Sequence, residues 1–177
     1  DVISKYTTDK ALHFVKSYQQ KLKTAQEEID FAHKMFQHLY DLELLREEWG
    51  ILLQETEDLL YQDEEKYREL KKEFRTFLKN NNNTDAEILD AVGSNKMDID
   101  IHLEQLLVYF LFTYFPGAVY DGEIYAKVQL TVYLVWMIWE IWMARWLKNE
   151  KSIDLEEMTE IVYRFSREVE HSDLNLR

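Results

Sequence analysis

Glu168-Val169-Glu170-His171 places an acid three residues before a histidine, and Asp30-Phe31-Ala32-His33 repeats the spacing with Asp. On a helix such a pair shares one face. Helical bundles build two-metal carboxylate sites from two Glu-x-x-His pairs and a single inward Glu on each of two further helices. Glu104 and Glu140, each inside an apolar stretch, would supply the single ones. Against this reading, 34 acidic residues among 177 make such spacings common by chance. A buried Glu is also more often paired to a Tyr, His or Arg of the core.

The run 163–176 holds a second constellation. On a helix, Arg167 reaches Glu170 and His171 at i+3 and i+4. With Phe165 and Val169 facing the core, Arg167, Glu170 and His171 form a polar patch beside the apolar face, and Glu168 lies further round. Together with Tyr120, Asp121, Tyr163 and Asn175 they make up the candidate polar cluster. Glu170 or His171 would be its proton acceptor if it faced a cleft. The alternative is a solvated ion-pair face, with the histidine favoured by the dipole of a helix end. A network tying Asp121 to Arg167 or His171 would account for the same residues without chemistry. Trp136, Trp139, Trp142 and Trp146 recur at helical spacing, which suits a flat-ligand pocket or, more simply, a packed core.

Composition narrows the classes further. The net charge of −13 disfavours nucleic acid and anionic lipid as partners. The absence of Cys removes disulfides, thiolate metal sites and cysteine nucleophiles from this chain. One Pro and four Gly are too few for a many-stranded sandwich or barrel. No basic and apolar leader opens the sequence, so the expected compartment is the cytoplasm. The first residue, Asp1, suggests a piece of a longer chain.

The elements that must position these residues are helices. Apolar residues at Leu12, Val15, Tyr18, Leu22, Ala25, Ile29, Ala32, Phe36 and Leu39 step by three and four. They make one long helix starting near Thr8, or two with a polar joint at 19–24. Further helices are expected at 42–61 and 64–78, the latter peripheral and half solvated. The Asn-rich run 80–84 is expected to be a loop and a sub-boundary within a single helical domain, 1–177. The stretches 101–115 and 124–147 are expected to pair antiparallel, rich in aromatics, at the centre of an all-α bundle of about six helices. Gln129, Glu140 and Arg145 interrupt the longer of them, which argues against a membrane span. A final helix would be capped by Ser152 or Asp154.

SREVEHSDLNL, residues 166–176, resembles the C-terminal signature of the flagellin lysine-N-methylase family, in which Ser-Arg-Glu-(Ile/Val)-Glu-His-Ser-Asp is followed shortly by Asn. HLEQLLVYFLFTYFPGAVYDGEIYAKVQL, residues 102–130, resembles the family's preceding part, with its Tyr-Asp-Gly turn at Tyr120-Asp121-Gly122. The resemblance implies methyl transfer to lysine side chains, with flagellin as the lysine-bearing protein substrate and S-adenosylmethionine as donor. It also implies a Cys-rich N-terminal region holding an iron–sulfur cluster. This chain has no Cys, so it corresponds to the C-terminal helical portion, not catalytic alone, or to a relative that lost the redox centre. Two other readings compete: a stand-alone helical interaction module, such as a homodimer, and a di-metal carboxylate enzyme.

Overall fold

The structure is a computed structural model that describes residues 24–41, 46–82 and 99–170. Six long helices carry them: α1 (Ala25–Asp41), α2 (Glu47–Leu60), α3 (Glu64–Asn82), α4 (Ile99–Tyr114), α6 (Ile124–Lys148) and α7 (Leu155–Glu170). A 3₁₀ turn (Phe115–Gly117) and a one-turn helix, α5 (Ala118–Asp121), make the corner between α4 and α6. No strand occurs among the described residues, so the expected all-α bundle is what this chain forms.

Side-chain caps explain three helix starts. Thr24 Oγ1 accepts a hydrogen bond from the Glu27 N–H at 3.2 Å, and the Glu27 carboxylate accepts from the Thr24 N–H at 3.0 Å. Asp154 and Glu157 repeat this reciprocal box on α7, at 2.8 and 3.4 Å, so Asp154 rather than Ser152 is the cap. Asp63 Oδ1 accepts from the Lys66 N–H at 2.8 Å ahead of α3. The asparagine run does not stop α3 where expected. The helix continues through Asn80 to Asn82, while Asn83 and Thr84 lie outside the described residues. Asparagine's weak dislike of helix, below about 1 kcal/mol per residue, yields to a stripe of Tyr67, Leu70, Phe74 and Leu78 buried in the core. That stripe also makes α3 less peripheral than its charge suggests.

The axis of the bundle is α6, which packs against α2, α3, α4 and α7. From Leu134 onward it buries Leu134, Met137, Ile138, Ile141, Trp142, Met143, Ala144 and Trp146. Phe74 of α3 meets Trp139 and Trp146 with ring centroids 5.1 and 5.3 Å apart. Trp142 Nε1 donates to the Met158 carbonyl of α7 at 3.1 Å. The tryptophan row is therefore core, each ring removing roughly 150–250 Å² from water.

The partner expected beside it at the centre, α4, sits differently. It lies along α6, yet only Ile99 and Phe110 of its residues are buried. A helix apolar on nearly all sides has no period to mark its inner face, so the pattern could not say which side would stay wet.

Candidate functional site

Glu140 is sealed in the core, and Glu168 is the other buried acid among the described residues. Glu140 is fully buried, and its two carboxylate oxygens accept from Tyr67 Oη at 3.0 Å and Tyr61 Oη at 3.1 Å. Burial pushes its carboxyl up to about 7, opposed by the nearby Lys71 ammonium and the two phenols. The same burial, and then the Glu140 charge, push both tyrosines well above their ordinary range. Lys71 is itself paired with Glu28 of α1. The expectation that a buried Glu would pair with a core tyrosine holds for Glu140. Glu104 instead sits exposed on α4.

The sequence reading missed a second carboxylate hub. Glu57 of α2 accepts from Tyr40 Oη at 2.8 Å and meets His33 Nδ1 at 2.7 Å, both on or beside the α1 face. Tyr40 is held neutral, first by burial and then by the Glu57 charge. No local motif marks Glu57, because its partners come from another helix. These contacts also engage the di-metal candidates. His33 is taken up by Glu57, Asp30 accepts from Gln26 at 2.8 Å, and Glu140 holds its tyrosines. No group of three or more His, Asp or Glu side chains converges on a metal-sized site among the described residues.

The described members of the candidate polar cluster make local pairs, one at the α5 corner and one on α7. Asp121, at the end of α5, accepts from the Glu123 N–H at 2.9 Å and meets Lys127 Nζ at 3.0 Å. That backbone bond first, and then Lys127, hold its carboxyl below the ordinary range. Tyr120 beside it is 93% exposed. On α7, Arg167 Nη1 donates to Tyr163 Oη at 3.3 Å, and the guanidinium lies 5.6 Å from the centre of that ring. Asp121 is thus tied to its own corner and Arg167 to Tyr163, while His171, the other partner considered for Asp121, lies outside the described residues. The register of α7 also differs. Met158, Ile161, Phe165 and Glu168 are buried in steps of three and four, so Glu168 faces inward instead of lying further round. Glu170 ends α7, but its side chain, with His171 and Asn175, lies outside the described residues.

What the described surface does offer is an apolar hairpin. Nine of the eleven exposed large apolar side chains fall between residues 101 and 130, on α4, α5 and the start of α6. Phe112 and Val119 are 78% and 81% exposed. Charge there is one-sided: Asp100, Glu104, Asp121 and Glu123 face a single cation, Lys127, which already pairs with Asp121. Behind α4, a cleft of about 290 Å³ opens toward α6 and α7, lined by His102, Gln105, Leu106, Tyr109, Trp142, Leu155, Met158, Thr159 and Val162. Exposed apolar patches of this kind mark surfaces for other proteins.

Among the described residues, the fold is an all-α bundle with a buried ionisable group and an exposed apolar hairpin. The chain belongs to the FliB lysine N-methylase C-terminal domain family, whose model matches residues 1–177. No curated protein and no solved structure is significantly similar to it. No helix of the described residues is long and apolar enough to cross a membrane.

Proposed function

We propose that this domain holds the lysine-bearing protein on which a lysine N-methylase acts, with flagellin as that protein and the cytoplasm as the place of action. The observation that carries the reading is the concentration of exposed apolar side chains on one hairpin whose charge balance is acidic. A lysine-rich segment is drawn to such a surface by charge and retained by apolar burial. Glu140, whose carboxyl burial pushes up, is committed to the core and takes no part in docking.

S-adenosylmethionine, the methyl donor this reading calls for, does not fit the α4–α7 cleft. The cleft's lining residues include no carboxylate to meet a ribose diol or a sulfonium cation. Nor does this chain hold a thiolate for an iron–sulfur cluster. Donor and cluster therefore belong, on this reading, to other parts of the enzyme. A substrate ammonium must lose its proton before its nitrogen can take a methyl group. Glu170 or His171 is the proposed acceptor of that proton.

The test uses the full-length methylase with flagellin. Replacing Phe112 and Val119 together by Ser should raise KM about tenfold or more with kcat nearly unchanged. His171→Ala should instead lower kcat. An unchanged KM in the doubly substituted hairpin refutes the docking role. A competing reading, a homodimer through the same hairpin, would show as a concentration-dependent mass that the Ser pair abolishes.

A further inference from the structure

Four cations gather at one place on this acidic chain. A pocket of about 240 Å³ lies where α1 begins against α3, and Arg68, Lys71, Lys72 and Arg75 line it together with Thr24 and Glu28. Four positive charges thus face one carboxylate, in a chain whose net charge is −13. Along α3, Arg68 stands three and four residues from Lys71 and Lys72, and both lysines stand so from Arg75. Like charges at that spacing weaken a helix on their own, and an anion set among them relieves the repulsion. Two of the four are engaged, Lys71 with Glu28 and Arg68 with Glu64 outside the pocket. Lys72 and Arg75 are exposed, and the side chain of neither makes a hydrogen bond or ion pair among the described residues. The positive end of the α1 dipole opens on the same space, at Thr24 and Ala25.

The floor of this pocket touches the core. Lys71 Nζ lies 5.5 Å from the centre of the Tyr67 ring, and Tyr67 Oη donates to Glu140 at 3.0 Å. The ionisable groups that act on Glu140 are Tyr61 at the end of α2, Tyr67 and Lys71 on α3 and Glu28 on α1. Both phenols stay neutral, so Lys71 is the cation that favours the ionised carboxylate.

We propose that this pocket binds a tetrahedral oxyanion of the phosphate class, held by Lys72 and Arg75 at its rim and Lys71 at its floor, and that its occupancy keeps a proton on Glu140. The guanidinium supplies a two-pronged contact to such an oxyanion and the lysines supply point charges. The site shares no residue with the hairpin and stands whether or not the hairpin is a docking face. An anion beside Lys71 offsets the charge that favours ionised Glu140, so the carboxyl holds its proton to higher pH. By linkage, the anion binds more tightly while Glu140 is protonated, and its affinity falls as pH rises through about 7. Free phosphate, a small phosphate ester and a phosphorylated side chain all carry this group.

Sulfate is the first probe, because it stays a dianion across the neutral range and adds no titration of its own. Titrated into the full chain at low salt, it should bind with a Kd of about 1 mM or tighter. The affinity should be about threefold higher near pH 6 than near pH 8. In unbuffered solution near neutrality, sulfate should draw protons onto the protein, whereas general screening of an acidic chain releases them. Lys72→Ala with Arg75→Ala should weaken sulfate about tenfold or more and abolish the uptake, with the unfolding midpoint preserved. Lys127→Ala with Lys148→Ala, which removes as many cations elsewhere, should change neither. Glu140→Gln should keep the site and lose the proton uptake. Sulfate binding no stronger than that of chloride at matched ionic strength overturns the proposal, as does binding that the Lys72 and Arg75 substitutions leave intact. Sulfate bound by the wild-type chain without proton uptake overturns the link to Glu140. Inorganic phosphate and a phosphoserine peptide then separate the sources. Tighter binding of the peptide assigns the group to a phosphorylated protein, and the reverse order assigns it to a small molecule.

Discussion

Toward its C-terminus α6 buries Met137, Ile138, Ile141, Trp142 and Trp146, while toward its N-terminus the same helix leaves Ile124, Tyr125 and Leu130 in solvent. Both ends are rich in large apolar residues. What differs is the company. At the C-terminal end α2, α3 and α7 contribute Leu53, Phe74 and Phe165 to the shared core. At the N-terminal end the chain has just turned through the α5 corner, whose Val119 and Tyr120 are themselves exposed. Apolar content alone therefore does not decide burial. One end of the helix holds the bundle together, and the other keeps a sticky surface available, at the aggregation risk such surfaces carry.

The largest effect that separates the two ends is a truncation in each. Trp142→Ala should lose roughly 3–5 kcal/mol in denaturant unfolding, because it removes a buried ring and a hydrogen bond to α7. Phe112→Ala should stay within about 0.5 kcal/mol. If Phe112→Ala proved as harmful as Trp142→Ala, the hairpin would be core and the contrast would collapse.

Acidity sharpens the contrast next. The folded Glu140 carboxyl sits at about 7, above its ordinary 4.5. Its raised value favours the protonated form in the folded state. That contribution is full below pH 4.5 and fades as pH rises through about 7, by at most about 3 kcal/mol. Thermal unfolding followed from pH 4.5 to 8 should show stability falling across that window, and Glu140→Gln should flatten the slope. A wild-type slope that Glu140→Gln leaves intact would assign the effect to other groups.

The smallest effects lie at the corner. Gly122 has φ of 73°, a left-handed conformation that closes α5, with open space where a Cβ would stand. Gly122→Ala should therefore cost about 1 kcal/mol through backbone strain alone. Lys127→Ala, which removes the Asp121 ion pair on the surface, should cost under about 1 kcal/mol in the same unfolding assay.

The helices were legible because Ile29, Ala32, Phe36 and Leu39, or Met158, Ile161 and Phe165, repeat with the helical period and fall on buried faces. The last cap was legible only as Ser152 or Asp154, because either short polar residue before an apolar run has a local purpose. The inner face of α4 was not, since all its faces are apolar. The register of α7 was misjudged because Glu168 reads as polar although it shares the buried stripe of Ile161 and Phe165. The partners of Glu140 were not legible either, as Tyr61 and Tyr67 lie 79 and 73 residues away along the chain. Of the candidate cluster, the local Arg167–Tyr163 pair was within reach of pattern, whereas whether Asp121 would meet Arg167 was not, because that depends on where a corner and a helix end lie.

The placement of the indole rings has an optical consequence. Trp49, Trp142 and Trp146 are buried, Trp136 and Trp139 half-buried, and the exposed rings of the hairpin are tyrosines and a phenylalanine. Excited above 295 nm or so, where tyrosine hardly absorbs, this chain emits only from its core end. Trp142, however, also forms one wall of the α4–α7 cleft. A ligand that merely coats the hairpin is dark to such light, whereas one that fills the cleft changes the colour or yield of a single indole, so the native emission tells the two modes of contact apart without a label.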